Sequence, residues 1–245
     1  MGHSMGGAEV LIYAATAPTS ITSRIAGFLA ESPFVALASS AKPFRITVIL
    51  GRLASKILPH YQMVNKLDIN KITRDPVVNK ELEADTLCHD IGTLEGLAGM
   101  LDRGLELESQ RVTLRDSAEK KFSLWVGHGS ADAICDYYAA KTWTEGCAVQ
   151  EKTFRTYEGW YHRSGNTQLR EGGTTIRPIN IRNPVISLFY PLVGQITDED
   201  VHVVHSEPGN DKVLFADDVA DWILARSDHS RAAQGVVEDG ARPRL

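Results

Sequence analysis

Apolar residues fall along this chain in short blocks, and their period changes from one block to the next. Residues 8–17 set Val10, Leu11, Ala14 and Ala15 on one face of a 3.6-residue repeat, and Pro18 and Thr19 follow, which predicts a helix with a stop. Residues 24–31 (RIAGFLAE) read as a short buried strand ending at Ser32-Pro33. Residues 122–127 (FSLWVG) and 153–157 read as two further strands. Residues 42–58 are apolar with Lys42, Arg45, Arg52 and Lys56 interspersed, and Ile46, Ile49, Leu50, Leu53 and Ile57 share one helical face. Residues 86–105 predict a helix broken at Gly92, Gly96 and Gly99. Residues 211–226 predict a last helix with Phe215, Ala216, Val219, Trp222 and Ile223 inward, followed by a polar, disordered tail over 228–245.

Composition narrows the function more than the fold. The chain has 245 residues, 43% apolar and 23% charged, as a soluble globular protein has. A net charge of -5, with no basic tail or stripe, argues against nucleic acid as a partner. Cys88, Cys135 and Cys147 are too few and too scattered for a disulfide framework, which points to a reducing, cytoplasmic setting. No apolar run reaches membrane-spanning length. The N-terminus reads as neither a signal peptide nor a myristoylation site, since Gly6 stands where the latter needs Ser or Thr.

The candidate chemistry begins at Gly2-His3-Ser4-Met5-Gly6, a G-x-S-x-G stretch. Such a serine sits on a sharp strand-to-helix turn where glycines let backbones approach closely, and the helix end offers N–H groups to an oxyanion. Asp132 follows the strand at 122–127, where an open α/β sheet sets its site residues, and His162 follows the strand at 153–157. The order Ser4, Asp132, His162 suits an α/β-hydrolase and not a chymotrypsin or subtilisin arrangement. His162 would take the proton of Ser4, and Asp132 would hold the imidazole. Asp136 is the alternative acid, though it would fall inside the next helix. His205 is the alternative base, and it lies farther from a strand end.

Together GHSMGG, the following ESP, then GSADAICD and YEGWYH resemble the monoacylglycerol lipases and related serine aminopeptidase-type α/β-hydrolases. Residues 57–76 and 205–227 add to the likeness, which covers most of 1–163 and 205–227. The resemblance implies the C-terminal portion of a mostly parallel sheet, carried by residues 1–32 and 117–163 and the last core helix at 205–227, with a helical cap over 33–116. It implies a triad of Ser4, Asp132 and His162, with the backbone N–H of Met5 as one oxyanion donor. It sets His3, Cys135, Ile49 and Leu53 at the substrate, Cys135 beside the alcohol part. A buried, inert thiol is the other reading of Cys135. The expected substrate is a small lipid ester, most readily a monoacylglycerol, cleaved without metal or cofactor; another esterase, a lysophospholipase or an aminopeptidase is the alternative. The cap helix at 42–58 reads either as a lid that touches a membrane or lipid droplet or admits an acyl chain, or as a helix packed on the core.

Two departures from that family pattern carry expectations of their own. No strand precedes Gly2, so an N-terminal segment with the earlier strands and the second oxyanion donor is expected to be missing, leaving the chain poorly folded or inactive. Residues 164–204 separate His162 from the HSEP turn and have no helical period, which reads as an atypical insertion, a retained intron before a surface loop. A non-catalytic remnant that binds lipid or a partner through the cap, or the product of a mispredicted gene, follows as the rival to an enzyme.

Overall fold

The computed structural model describes residues 1–86, 90–162 and 211–235, with side chains of the last stretch described over 214–226. Cys88, the insertion at 164–204 and His205 lie outside the described residues. Among those described, a parallel sheet has the order β1 (Gly2–His3), β2 (Phe28–Glu31), β5 (Ser123–Gly129) and β6 (Glu151–Tyr157). Helices α1 (Ser4–Thr16) and α6 (Tyr137–Gly146) connect neighbouring strands, and α2 is a single turn at Thr19–Thr22.

Alternation along the strands divides the core in two. Phe28 and Ala30 of β2 and Leu124 and Val126 of β5 pack with Leu11 of α1 and Trp143 of α6. Leu29 and Trp125 point the other way, onto Tyr157, Trp160 and Phe215. This is what strands buried on both faces require. Phe215 belongs to the final helix α7 (Asp211–Gly235). Asp218 of that helix accepts hydrogen bonds at 2.9 Å from both Arg155 and Tyr157 of β6, which fixes α7 against the sheet. The helix runs on to Gly235, beyond the Arg226 where the sequence places its end. That corrects the first part of the stretch expected to be disordered: Ala232, Ala233 and Gln234 favour helix and no proline intervenes.

Between β2 and β5 lies the cap: α3 (Arg45–Ile57), α4 (Pro76–Ala84), α5 (Leu94–Glu108) and the antiparallel pair β3 (Gln62–Val64) with β4 (Ile91–Thr93). Residues 86–105 are therefore not one broken helix. Thr93 ends a strand and caps α5, its hydroxyl accepting from the Gly96 N–H at 3.1 Å. Helix α5 then passes unbroken through Gly96 and Gly99, because buried Leu94 and Leu107 anchor it. No helix among the described residues is long and apolar enough to cross a membrane.

Candidate active site

Ser4 stands at the first position of α1, directly after β1, with a backbone φ of 53°. Few residues other than glycine adopt that left-handed conformation, and it turns the serine side chain off the strand axis. The tight turn depends on two glycines. A Cβ on Gly2 would stand 2.2 Å from the carbonyl oxygen of Gly6, and one on Gly7 would stand 3.0 Å from the Cα of Pro33. Gly6 itself, the second glycine of the motif, has nothing within 4 Å of such a Cβ. The close approach read from the motif is thus made at Gly2 and Gly7. Met5 lies in the first turn of α1, where backbone N–H groups have no partner within the helix.

His162 brings the three nominated side chains into one line. Its Nε2 lies 2.9 Å from the Oγ of Ser4, and its Nδ1 lies 2.8 Å from Oδ2 of Asp132. The other carboxylate oxygen of Asp132 accepts from the backbone N–H groups of Ile134 at 2.8 Å and Cys135 at 2.9 Å. The carboxylate is thereby fixed in orientation by its own loop. Asp136 serves elsewhere, capping α6 by accepting from the Ala139 N–H at 3.0 Å.

Burial sets the electrostatics. Taking Asp132 out of water raises its pKa, but the hydrogen bond and charge of His162 and the Ile134 N–H bring it below the ordinary carboxylate value. Burial alone would push His162 down. The hydrogen bond and charge of the Asp132 carboxylate outweigh that and hold it up. Burial also raises Cys135, keeping it a thiol at neutral pH, so Asp132 is the anion that carries the upward direction.

The remaining nominated residues take varied places. Cys135 is fully buried, with its sulfur within 4.8 Å of the ligand atoms of Asp132 and His162. Sulfur, imidazole nitrogen and carboxylate oxygen are together a ligand set that zinc takes, but Asp132 and His162 are already hydrogen-bonded to each other. His3 turns toward His162: its Nε2 is 3.1 Å from the His162 carbonyl oxygen, and the rings are 4.8 Å apart. Ile49 and Leu53 need correction. They lie on the outward face of α3, 52% and 55% exposed, and do not line the cavity beneath the cap. Thr47, Val48, Gly51 and Arg52 face inward instead, where α3 packs on α5 and Arg52 pairs with Asp102. Hydrophobic period reveals that a helix has an apolar face but not which way that face turns.

Sequence reasoning missed His128. It is fully buried at the end of β5, its Nδ1 3.9 Å from Oδ2 of Asp132. Its Nδ1–H donates to the Gly129 carbonyl at 3.1 Å, and burial holds its pKa down, which keeps the ring neutral beside the carboxylate. Its position four residues before Asp132 was the available signal.

Residues 1–166 match the sequence family described as "Serine aminopeptidase, S33". The monoglyceride lipase of Mus musculus is 30% identical over 171 residues, covering 66% of this chain and 50% of that protein. The crystal structure of Paleococcus ferrophilus monoacylglycerol lipase is similar with a TM-score of 0.56 and 26% identity, covering 66% of this chain and 58% of that one. A soluble variant of the Saccharomyces cerevisiae monoglyceride lipase, solved with a substrate analog, shares the fold with a TM-score of 0.59 at 24% identity, covering 66% of this chain and 55% of that one. This chain spans about half the length of the relatives it matches. With well over half of its residues matched, parallel sheet and capped core included, the chain belongs to the serine aminopeptidase family of α/β-hydrolases.

Proposed function

We propose that this protein is a serine hydrolase of carboxylic esters, that its substrate is a monoacylglycerol, and that Ser4, His162 and Asp132 carry the reaction. The reading rests on one observation, the continuous line of hydrogen bonds from Ser4 Oγ through both nitrogens of His162 to Asp132. Ser4 Oγ attacks the ester carbonyl carbon while Nε2 of His162 takes its proton. The imidazolium formed is stabilised by the Asp132 carboxylate, which the Ile134 and Cys135 N–H groups hold in place. Negative charge on the carbonyl oxygen develops beside the Met5 N–H at the start of α1. Collapse breaks the bond to the alcohol, which leaves with the proton of His162. Water then attacks the acyl-serine by the same route and frees the acid. Every step uses side chains and backbone of this chain, with no metal or cofactor.

In the same reading the exposed apolar face of α3 meets the lipid surface from which substrate is drawn, and the protein works in the cytoplasm as a peripheral partner of membranes or lipid droplets. The relatives named as monoglyceride lipases support the substrate class. Labelling the full chain with a fluorophosphonate probe, with Ser4→Ala as control, tests the nucleophile. Monoacylglycerol turnover by the same protein tests the substrate. Labelling that survives the Ser4→Ala change would overturn the reading.

A further inference from the structure

Beneath the cap lies a cavity of about 380 Å³, within the roughly 300–1,000 Å³ typical of small-molecule sites. Its walls are of two kinds. Val48 of α3, Leu97 and Leu101 of α5, and Ile134 beside Asp132 make an apolar lining. The stretch from Asn65 to Lys71, just after β3, brings nearly all the charge: Lys66, Asp68 and Lys71 all line the cavity. Asp68 is occupied, its carboxylate accepting from the backbone and side-chain nitrogens of Asn70 at 3.1 and 3.3 Å. The ammonium groups of Lys66 and Lys71 have no ion pair among the described residues. From the opposite wall Arg52 reaches in. Its guanidinium pairs with Asp102, while its Nε–H is buried and makes no hydrogen bond. A buried donor without an acceptor is costly, and two lysines on an otherwise apolar cavity attract negative charge.

We infer that this cavity binds a single-chain lipid with an anionic head group, a carboxylate or a phosphate monoester, its chain against α5 and Ile134 and its head against Lys66, Lys71 and Arg52. The inference goes beyond the neutral monoacylglycerol of the proposed function. It rests on the lining of the cavity and not on the reactivity of Ser4.

Binding to the full chain carrying Ser4→Ala tests it, because no turnover is involved. Isothermal titration would compare three lipids of one chain length, below their micelle concentrations: a 1-acylglycerol, its 3-phosphate and the free fatty acid. The expected result is binding about five- to tenfold tighter for at least one anionic lipid than for the neutral one, as one or two partly exposed ion pairs supply. The preference should weaken with added salt. It should vanish in a Lys66→Ala, Lys71→Ala double variant that keeps its affinity for the neutral lipid, which also shows that the variant is folded. Whether phosphate or carboxylate gains more identifies the head group. Equal affinity for all three lipids, a preference that survives the double variant, or no binding of any lipid would overturn the inference. Loss of probe labelling at Ser4 would bear on the proposed function alone.

Discussion

The imidazole of His3 reaches back across the site to the main chain of His162, its Nε2–H donating to the carbonyl oxygen at 3.1 Å with the two rings tilted 53° apart. The residue just before Ser4 thus holds the residue that accepts from Ser4. Replacing His3 by Phe keeps a ring beside His162 and removes the hydrogen bond. We expect kcat for ester hydrolysis to fall about five- to tenfold, the worth of one hydrogen bond, with little change in KM. A His3→Phe protein whose loss lies in KM alone would place His3 at the substrate instead.

The two glycines of the motif should respond in opposite ways. Gly2→Ala drives a Cβ into the backbone oxygen of Gly6, which cannot move without breaking the turn. A destabilisation of about 3 kcal/mol or more is expected. Gly6→Ala meets open space and replaces a helical glycine, which should leave stability unchanged or raise it by about 1 kcal/mol. Urea unfolding of the two variants checks this, and equal losses in both would contradict it.

The same contrast shows what the sequence could and could not disclose. The runs at 24–31 and 122–127, within which the strands Phe28–Glu31 and Ser123–Gly129 begin, were legible because strands buried on both faces are mostly apolar. Asp132 and His162 stood out because each follows the end of a predicted strand, and Ser4 because it sits in a G-x-S-x-G stretch. The two-residue strand Gly2–His3 carries no period at all, and its existence depends on pairing with Ala30 and Glu31. The antiparallel pair of β3 and β4 lacks alternation for the same kind of reason: pairing, and not the pattern of either strand, defines it. His128 was hidden because a histidine at the end of an apolar strand looks the same whether it touches Asp132 or not. Only packing brings its ring to 3.9 Å from that carboxylate.

Acid and base should pull activity and stability in opposite directions. His162 must be neutral to accept the Ser4 proton, and Asp132 holds its pKa above the roughly 6.5 of the unfolded chain. Activity should therefore rise with pH, its rising limb lying above the ordinary histidine range. The Asp132 interaction with imidazolium is fully present below the unfolded value and is lost as pH rises through the folded one. The His162 contribution to stability should then decline as pH rises above about 6.5 while activity climbs. Asp132→Asn removes the anion. It should abolish that decline and cut kcat by about 10³–10⁴. A parent protein whose rate is already flat at pH 6 would show that His162 is not raised.

The outward face of α3 offers the last test. Ile46, Ile49, Leu50, Leu53 and Ile57 are 61%, 52%, 58%, 55% and 79% exposed, a contiguous apolar stripe on one side of a helix whose other side lines the cavity. Burying half of such a side chain in lipid is worth about 1 kcal/mol. Two charges set into the stripe should therefore dominate its partition. Ile49→Glu with Leu53→Glu is expected to lower binding to phosphatidylcholine vesicles by at least about tenfold, measured by co-sedimentation. Both sites face water, so unfolding free energy should shift by no more than about 0.5 kcal/mol. Hydrolysis of a short, water-soluble ester should stay unchanged, since neither residue lines the cavity. Vesicle binding that persists in the double variant would assign the contact to another surface, and a parallel loss on the soluble ester would place the two residues at the substrate after all.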